Sequence, residues 1–188
     1  MIKAIIFDCF GVLYPQASGH FYERHKELFD NDPATMDRLN DDIDLGKISR
    51  AEFFEGLEQK TGMPARKIQE EIDEELVLDR NVTGLIRKLK SSYKIGFLSN
   101  AGEEEIELIY RDEIDSLFDA ICVSYKTGVL KPEARAFEIC AQNLGVKPTE
   151  CLFVDDSTKN IEGAKKLGMK TILYTSFDEF SEKLKESL

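Results

Sequence analysis

Histidine and cysteine are scarce in this chain: two and four, respectively, in 188 residues. Cys9, Cys122, Cys140 and Cys151 are scattered, with no CxxC pair and no histidine spaced to complete a zinc site. Three of them lie within or beside apolar runs, as buried free thiols do. Cys9 directly follows Asp8, but lacks a neighbouring His or second Cys and reads as a packing residue rather than a nucleophile. His20 and His25 have no partner visible in the sequence and read as surface or packing residues. No apolar run approaches the roughly 20 residues needed to span a bilayer, which excludes a membrane helix. Met1 leads almost directly into a strand with Lys3 as its only charge, so no signal peptide and a cytoplasmic location are expected. No Lys/Arg cluster offsets the formal charge of −11, which disfavours nucleic acid as a partner. Repeats and low-complexity segments are absent too.

What is present is a globular composition, 42% hydrophobic, long enough for one domain or a core with a small insert. Residues 3–8 read as a strand. From about 16 to 80 only helical periodicity appears. Ser49 with Glu52 three later forms a capping box, and Thr61-Gly62 marks that helix's end. Phe53, Phe54 and Leu57 fall on one face. Pro64 opens a further helix, with Ile68, Ile72, Leu76 and Val77 on its inner side. Phe21, Tyr22, Leu28 and Phe29 are expected in the insert's own core. After Asn81, helix 82–91 leads to the strand KIGFLSN, helix 103–113, strand AICVS, helix 132–144, strand CLFVDD, helix 157–167, strand TILY and an amphipathic terminal helix. Helices alternating with short apolar strands imply an α/β fold with a parallel, doubly wound sheet.

Ligands in such sheets bind beyond the carboxyl ends of the strands. Asp8, Ser99-Asn100 and Asp155-Asp156 all end strands here. A helix-capping role would explain one of these aspartate sites, but hardly both. Three carboxylates converging on one edge repel unless a cation sits among them, and oxygen-only ligands favour a hard ion such as Mg2+. Asp8 suits a nucleophile, and Gly11 lets the chain turn and bare N–H groups for an oxyanion. Ser99 offers a hydroxyl and Asn100 an amide to a phosphoryl oxygen. Lys131 precedes Pro132, the expected first residue of a helix; a cation there hints at an anionic neighbour. Asn160, four residues beyond Asp156, is placed to reach back to a carboxylate or a metal-bound water.

The ordered segments FDCFGVL, LSN, KPE and VDDSTKN resemble the four motifs of the haloacid dehalogenase superfamily. GKISRAEFFEGL, LKPEARAFE and FVDDSTKNIEGAKKLG are similar to its branch of bacterial sugar-phosphate phosphatases, such as glucose-1-phosphate phosphatases. The resemblance implies a Rossmann-like core at 1–14 and 82–188 with a small helical cap at 15–81. It implies a Mg2+-dependent phosphatase or phosphotransferase acting on a small phosphorylated metabolite, with oligomeric state left open. Asp8 would be nucleophile and metal ligand, and residue 10 would ligate through its backbone carbonyl. Ser99 and Lys131 would hold phosphate; Asp156 would ligate Mg2+, with Asp155 direct or through water. Residues near Tyr14, Gln16 and His20 would face the substrate.

One position departs from that pattern. The family's phosphatases usually carry a second Asp two residues after the nucleophile as general acid and base, and here that residue is Phe10. Such a group contributes about 10²–10⁴ in rate, so esters with poor leaving groups would suffer most. The same change keeps two alternatives open. A 2-haloacid dehalogenase attacks carbon with the same Asp, although the Asp155-Asp156 pair argues against it. A non-catalytic binding module would also tolerate Phe10.

Overall fold

The computed structural model describes residues 1–30, 32–109 and 116–188. Five strands, β1 (Ala4–Phe7), β2 (Lys94–Ser99), β3 (Ala120–Val123), β4 (Cys151–Asp155) and β5 (Lys170–Leu173), form one sheet in the order β3-β2-β1-β4-β5. Every pairing is parallel. β1 is central, and Phe7 is in register with Phe97 on one side and Val154 on the other. The chain builds outward through β2 and β3, then crosses to β4 on the far side of β1. That reversal puts the ends of β1 and β4 at the crevice where doubly wound sheets bind ligands.

Side-chain alternation divides the strands between two apolar layers. Ile5, Phe7, Ile95, Phe97, Leu152 and Val154 face α5 (Arg80–Leu89) and α10 (Phe177–Ser187), meeting Val82, Ile86, Phe180 and Leu184. Ala4, Ile6, Leu98, Cys122 and Phe153 face α8 (Ala134–Asn143) and α9 (Thr158–Lys166), meeting Phe137, Cys140, Ile161 and Ala164. All four cysteines are buried and free. Gly96 is needed in β2, because a Cβ there would lie 2.9 Å from Leu144 Cδ1 and 3.2 Å from Cys140 Sγ.

Between β1 and α5 lie α1 (Ala17–His25), a short 3-10 turn, α2 (Ala34–Asp44), α3 (Arg50–Thr61) and α4 (Ala65–Asp73). Phe21, Phe29, Phe53, Phe54, Leu57, Ile68 and Ile72 pack into a separate apolar cluster. The α3 capping box is present: Glu52 N donates to Ser49 Oγ and Ser49 N to Glu52 Oε2. Two expected core positions fall outside. Leu28 is 40% exposed, because the 3-10 turn carrying it buries Phe29 instead. Val77 is 68% exposed, because α4 stops at Asp73 and its helical spacing no longer applies. Of helix 103–113, α6 (Glu103–Ile109) is observed; residues 110–113 lie outside the described residues. Ser124 does not end β3 but opens a short helix, α7 (Ser124–Thr127). Among the described residues, no helix is long and apolar enough to cross a membrane.

Candidate active site

The centre of the site is a buried ion cluster built from two strand ends and the loop that leads into α8. Asp8 directly follows β1 and is 5% exposed; Asp155 closes β4 and is fully buried. Lys131 Nζ lies 2.6 Å from Asp8 Oδ1 and 2.8 Å from Asp155 Oδ2. Burial works against the charge on this lysine, but the carboxylates of Asp155 and Asp8 outweigh it and hold the ammonium above the ordinary lysine range. Cys9 N also donates to Asp8 Oδ1, at 2.6 Å. Asp8 Oδ2 meets no donor among the described residues and is the open oxygen.

Asn160 Nδ2 donates to both oxygens of Asp155, at 3.1 Å, and Ser157 N to Oδ1 at 2.8 Å. Asp155 is thus surrounded by donors, whereas Asp156 is half-buried and turned toward Gly11. The turn at Gly11 (φ +90°) requires glycine twice over. Its dihedral is left-handed, and a Cβ would sit 2.1 Å from Asp156 Oδ2. Within this turn the N–H of Gly11 itself donates to Tyr14 O at 2.6 Å.

Carboxylate oxygens from Asp8, Asp155 and Asp156 lie within 4.8 Å of one another. Three carboxylates against one ammonium leave an excess of negative charge. Burial first, then the charge of Asp155, pushes the Asp8 carboxyl well above the usual carboxylate range, with Lys131 pulling the other way. Burial, followed by Asp155, raises Asp156 in the same direction. An all-oxygen set with uncompensated charge suits a hard divalent cation.

Lys131 is not at a helix start, because α8 begins at Ala134. No helix begins at this lysine for its dipole to oppose the charge. A side-chain clamp holds the lysine loop instead: Lys131 N donates to Asn100 Oδ1 at 2.7 Å, and Asn100 Nδ2 donates to Lys131 O at 3.1 Å. Asn100 thus spends much of its amide on the backbone rather than offering it to a ligand. Ser99 is 1% exposed and its Oγ donates to Asn100 O at 3.2 Å.

A cavity of about 360 Å³ lies between this edge and the helical insert. Asp8, Phe10, Asn100, Lys131, Asp156 and Asn160 line one side. Gln16, Asp41, Asp44, Arg50, Phe53 and Phe54 line the other, with Glu105 of α6 between. Of Tyr14, Gln16 and His20, near which substrate-facing residues are expected, Gln16 lines the cavity. Tyr14 is buried, with its hydroxyl donating to Ile109 O at 3.2 Å. His20 is exposed and its Nδ1 meets Glu75 Oε2 at 2.7 Å, while His25 Nε2 meets Glu71 Oε2 at 2.8 Å. Both histidines thus have carboxylate partners more than forty positions away, beyond the reach of local spacing. Asp44 and Glu105 lie in no quoted motif, and Arg50, although inside GKISRAEFFEGL, was not singled out; none of the three was anticipated as a site residue.

The sequence profile described as haloacid dehalogenase-like hydrolase matches residues 2–168. D-ribitol-5-phosphate phosphatase from Bacteroides thetaiotaomicron is 28% identical over 190 residues, covering 91% of each chain. Glyceraldehyde 3-phosphate phosphatase from Pyrococcus furiosus is 34% identical over 92 residues, covering 48% of this chain. The chain spans 38% of that relative's length. A crystal structure of an enzyme of the same family from Bacteroides thetaiotaomicron, in complex with magnesium and inorganic phosphate, superposes with a TM-score of 0.72. That alignment has 25% identity and covers 93% of this chain and 95% of the other. With the matched profile spanning most of its length and the parallel sheet beneath it, this chain belongs to the haloacid dehalogenase-like hydrolase family.

Proposed function

We propose that this chain is a Mg2+-dependent phosphatase acting on a small phosphorylated metabolite, of the sugar- or polyol-phosphate kind, through an aspartyl-phosphate on Asp8. The observation that carries this reading is the buried Lys131 ammonium bridging Asp8 and Asp155 beside a cavity, with carboxylate charge left over. Asp8, Asp156 and the backbone carbonyl of Phe10 would hold Mg2+, whose charge offsets the surplus carboxylates and lets a phosphate dianion approach. Asp155, saturated by Lys131, Asn160 and Ser157, would support the ion from behind.

With Oδ1 fixed by Lys131 and the Cys9 N–H, Asp8 Oδ2 is free to attack phosphorus. The P–O bond to the leaving group breaks as the new P–O bond forms. Lys131 balances charge at Asp8 and the incoming phosphoryl oxygens throughout. Water, or another hydroxyl in a transferase, then attacks the same phosphorus and regenerates the carboxylate. Ser99 and Asn100 act in this reading chiefly by holding the β2 and Lys131 loops, and Gly11 by making room for Asp156. The helices between residues 15 and 81 serve as a cap that shapes the cavity around the leaving group.

The test is hydrolysis of p-nitrophenyl phosphate with and without Mg2+, using wild type and Asp8→Asn. Turnover that needs Mg2+ and vanishes in Asp8→Asn supports the reading. Inactivity toward phosphate esters together with halide release from 2-haloacids would replace it with dehalogenation, the chemistry that Phe10 would permit.

A further inference from the structure

The ring of Phe10 lines the cavity where a phosphatase of this kind needs a proton for its leaving group. Carbon cannot supply one, so the proton must come from another wall of the cavity. Asp8 and Asp156 belong to the phosphate side. Lys159 and Asp41 are exposed. The Arg50 guanidinium pairs with Asp73, lies 4.8 Å from the Phe54 ring centroid, and stays charged. Burial pushes the Glu105 carboxyl above the usual carboxylate range, but its Oε2 accepts from Gly102 N at 2.9 Å, a bond that opposes the shift and ties the side chain to the turn after β2.

Asp44 remains. It is the last residue of α2, is half-buried and lines the cavity with Asp8 and Phe10. Neither of its carboxyl oxygens meets a donor among the described residues, so the side chain has no structural bond to keep. Its backbone, by contrast, is fixed to the segments that follow β2 and β3. Ser124 Oγ donates to Asp44 O at 2.5 Å and accepts from Ala101 N at 2.9 Å. Ala101 follows Asn100, the residue that clamps Lys131. Gly102 completes the joint, since a Cβ there would come within 2.9 Å of Ile43 O. One short run after β2 thus positions both the lysine and Asp44.

We propose, on the phosphatase reading above, that Asp44 is the acid that protonates the departing oxygen in place of the side chain Phe10 lacks. As the Asp8–phosphorus bond forms and the ester P–O bond breaks, the leaving oxygen takes the bond's electron pair and the Asp44 proton. The products are an alcohol, the aspartyl-phosphate and the Asp44 carboxylate. In the second half, water attacks phosphorus, its proton returns to Asp44, and phosphate leaves as the Asp8 carboxylate is restored.

The surroundings favour the acid form needed at the start. Burial, then the negative charges of Glu105 and Asp41, push the Asp44 carboxyl well above the usual carboxylate range. Lys131 opposes this and Asp8 adds to it.

The experiment is a leaving-group series from p-nitrophenyl through phenyl to simple alkyl phosphates, with wild type, Asp44→Asn and Glu105→Gln. Asp44→Asn is expected to lose at least about 10²-fold more in kcat/KM at the poor end of the series than at the nitrophenyl end. Glu105→Gln is expected to shift the whole series by one factor. Equal losses across the series in Asp44→Asn, or a steepened slope in Glu105→Gln alone, overturn the assignment. A wild type silent on every ester would instead overturn the phosphatase reading and this inference with it. If Asp44→Asn does not fold, the wild type decides: its rate on phenyl phosphate must fall with rising pH more steeply than its rate on nitrophenyl phosphate, and parallel falls overturn the proposal.

Discussion

At the sheet edge, Asp8, Lys131 and Asp155 are each at most 5% exposed, and the lysine bonds to both carboxylates. In the helical insert the interior is Phe21, Phe29, Leu57 and Ile68, all fully buried, while Arg24 and Glu75 pair near the surface. The two regions put charge to opposite uses. Buried ion clusters stabilise a fold poorly, because desolvation consumes most of the Coulombic gain. A fold needing only stability would fill that edge with the apolar side chains that make up the rest of the sheet. The cluster is therefore best read as machinery that the surrounding core is stable enough to carry.

Substitutions can break this contrast, and the largest effect is expected at Lys131. Lys131→Met leaves Asp8 and Asp155 buried without their cation. It should cost about 3–5 kcal/mol in urea unfolding without added Mg2+. It should also lower nitrophenyl phosphate turnover at least about 10²–10³-fold. A melt like that of wild type would mean the two carboxylates are protonated together, and the contrast would fail. In the insert, Leu57→Ala should cost about 2–5 kcal/mol through its cavity alone, without changing the Mg2+ concentration for half-maximal rate. A changed Mg2+ response would join the two regions energetically.

A smaller effect sharpens the picture at the boundary. Because Asp44 titrates higher in the folded chain than in the unfolded one, its ionisation favours unfolding. Its contribution to stability is therefore complete below the ordinary carboxylate range and is lost as pH climbs from there to the raised value. Asp44→Asn cannot ionise, so its melting temperature should gain on that of wild type as pH rises through this window. A constant gap would show that Asp44 is not held in its acid form. The smallest effect belongs to the insert's surface. His20→Ala removes an exposed pair with Glu75 and should alter stability by no more than about 1 kcal/mol, with nitrophenyl phosphate kinetics unmoved.

The legibility of the sequence follows the same division. The strands could be read because buried parallel strands are short apolar runs, and Asp8 and Asp155-Asp156 because they end such runs. The sheet register then brings together residues nearly 150 positions apart without further information. Asp44 was invisible for the opposite reason. It sits in the acidic stretch NDDID, and only the docking of α2 on Ser124 and Gly102 selects it from its neighbours. The role of Asn100 was hidden too, since a strand-end amide gives no sign that its partner is a backbone 31 residues away. Val77 was misplaced because helical spacing carries no mark of where the helix stops.

The insert departs from the sheet after Leu13 and returns at Asp79, where Asp79 N donates to Leu13 O at 2.8 Å. Exit and entry are one hydrogen bond apart, so the whole excursion resembles a loop on a closed stalk. Its length and content are thereby uncoupled from the spacing of the strands. A different run of helices could be spliced onto the same two ends while Asp8, Lys131 and Asp155 kept their places. Exchanging the insert would change what enters the cavity without rebuilding the ion cluster, except that each replacement would have to bring its own acid to the position Asp44 now holds.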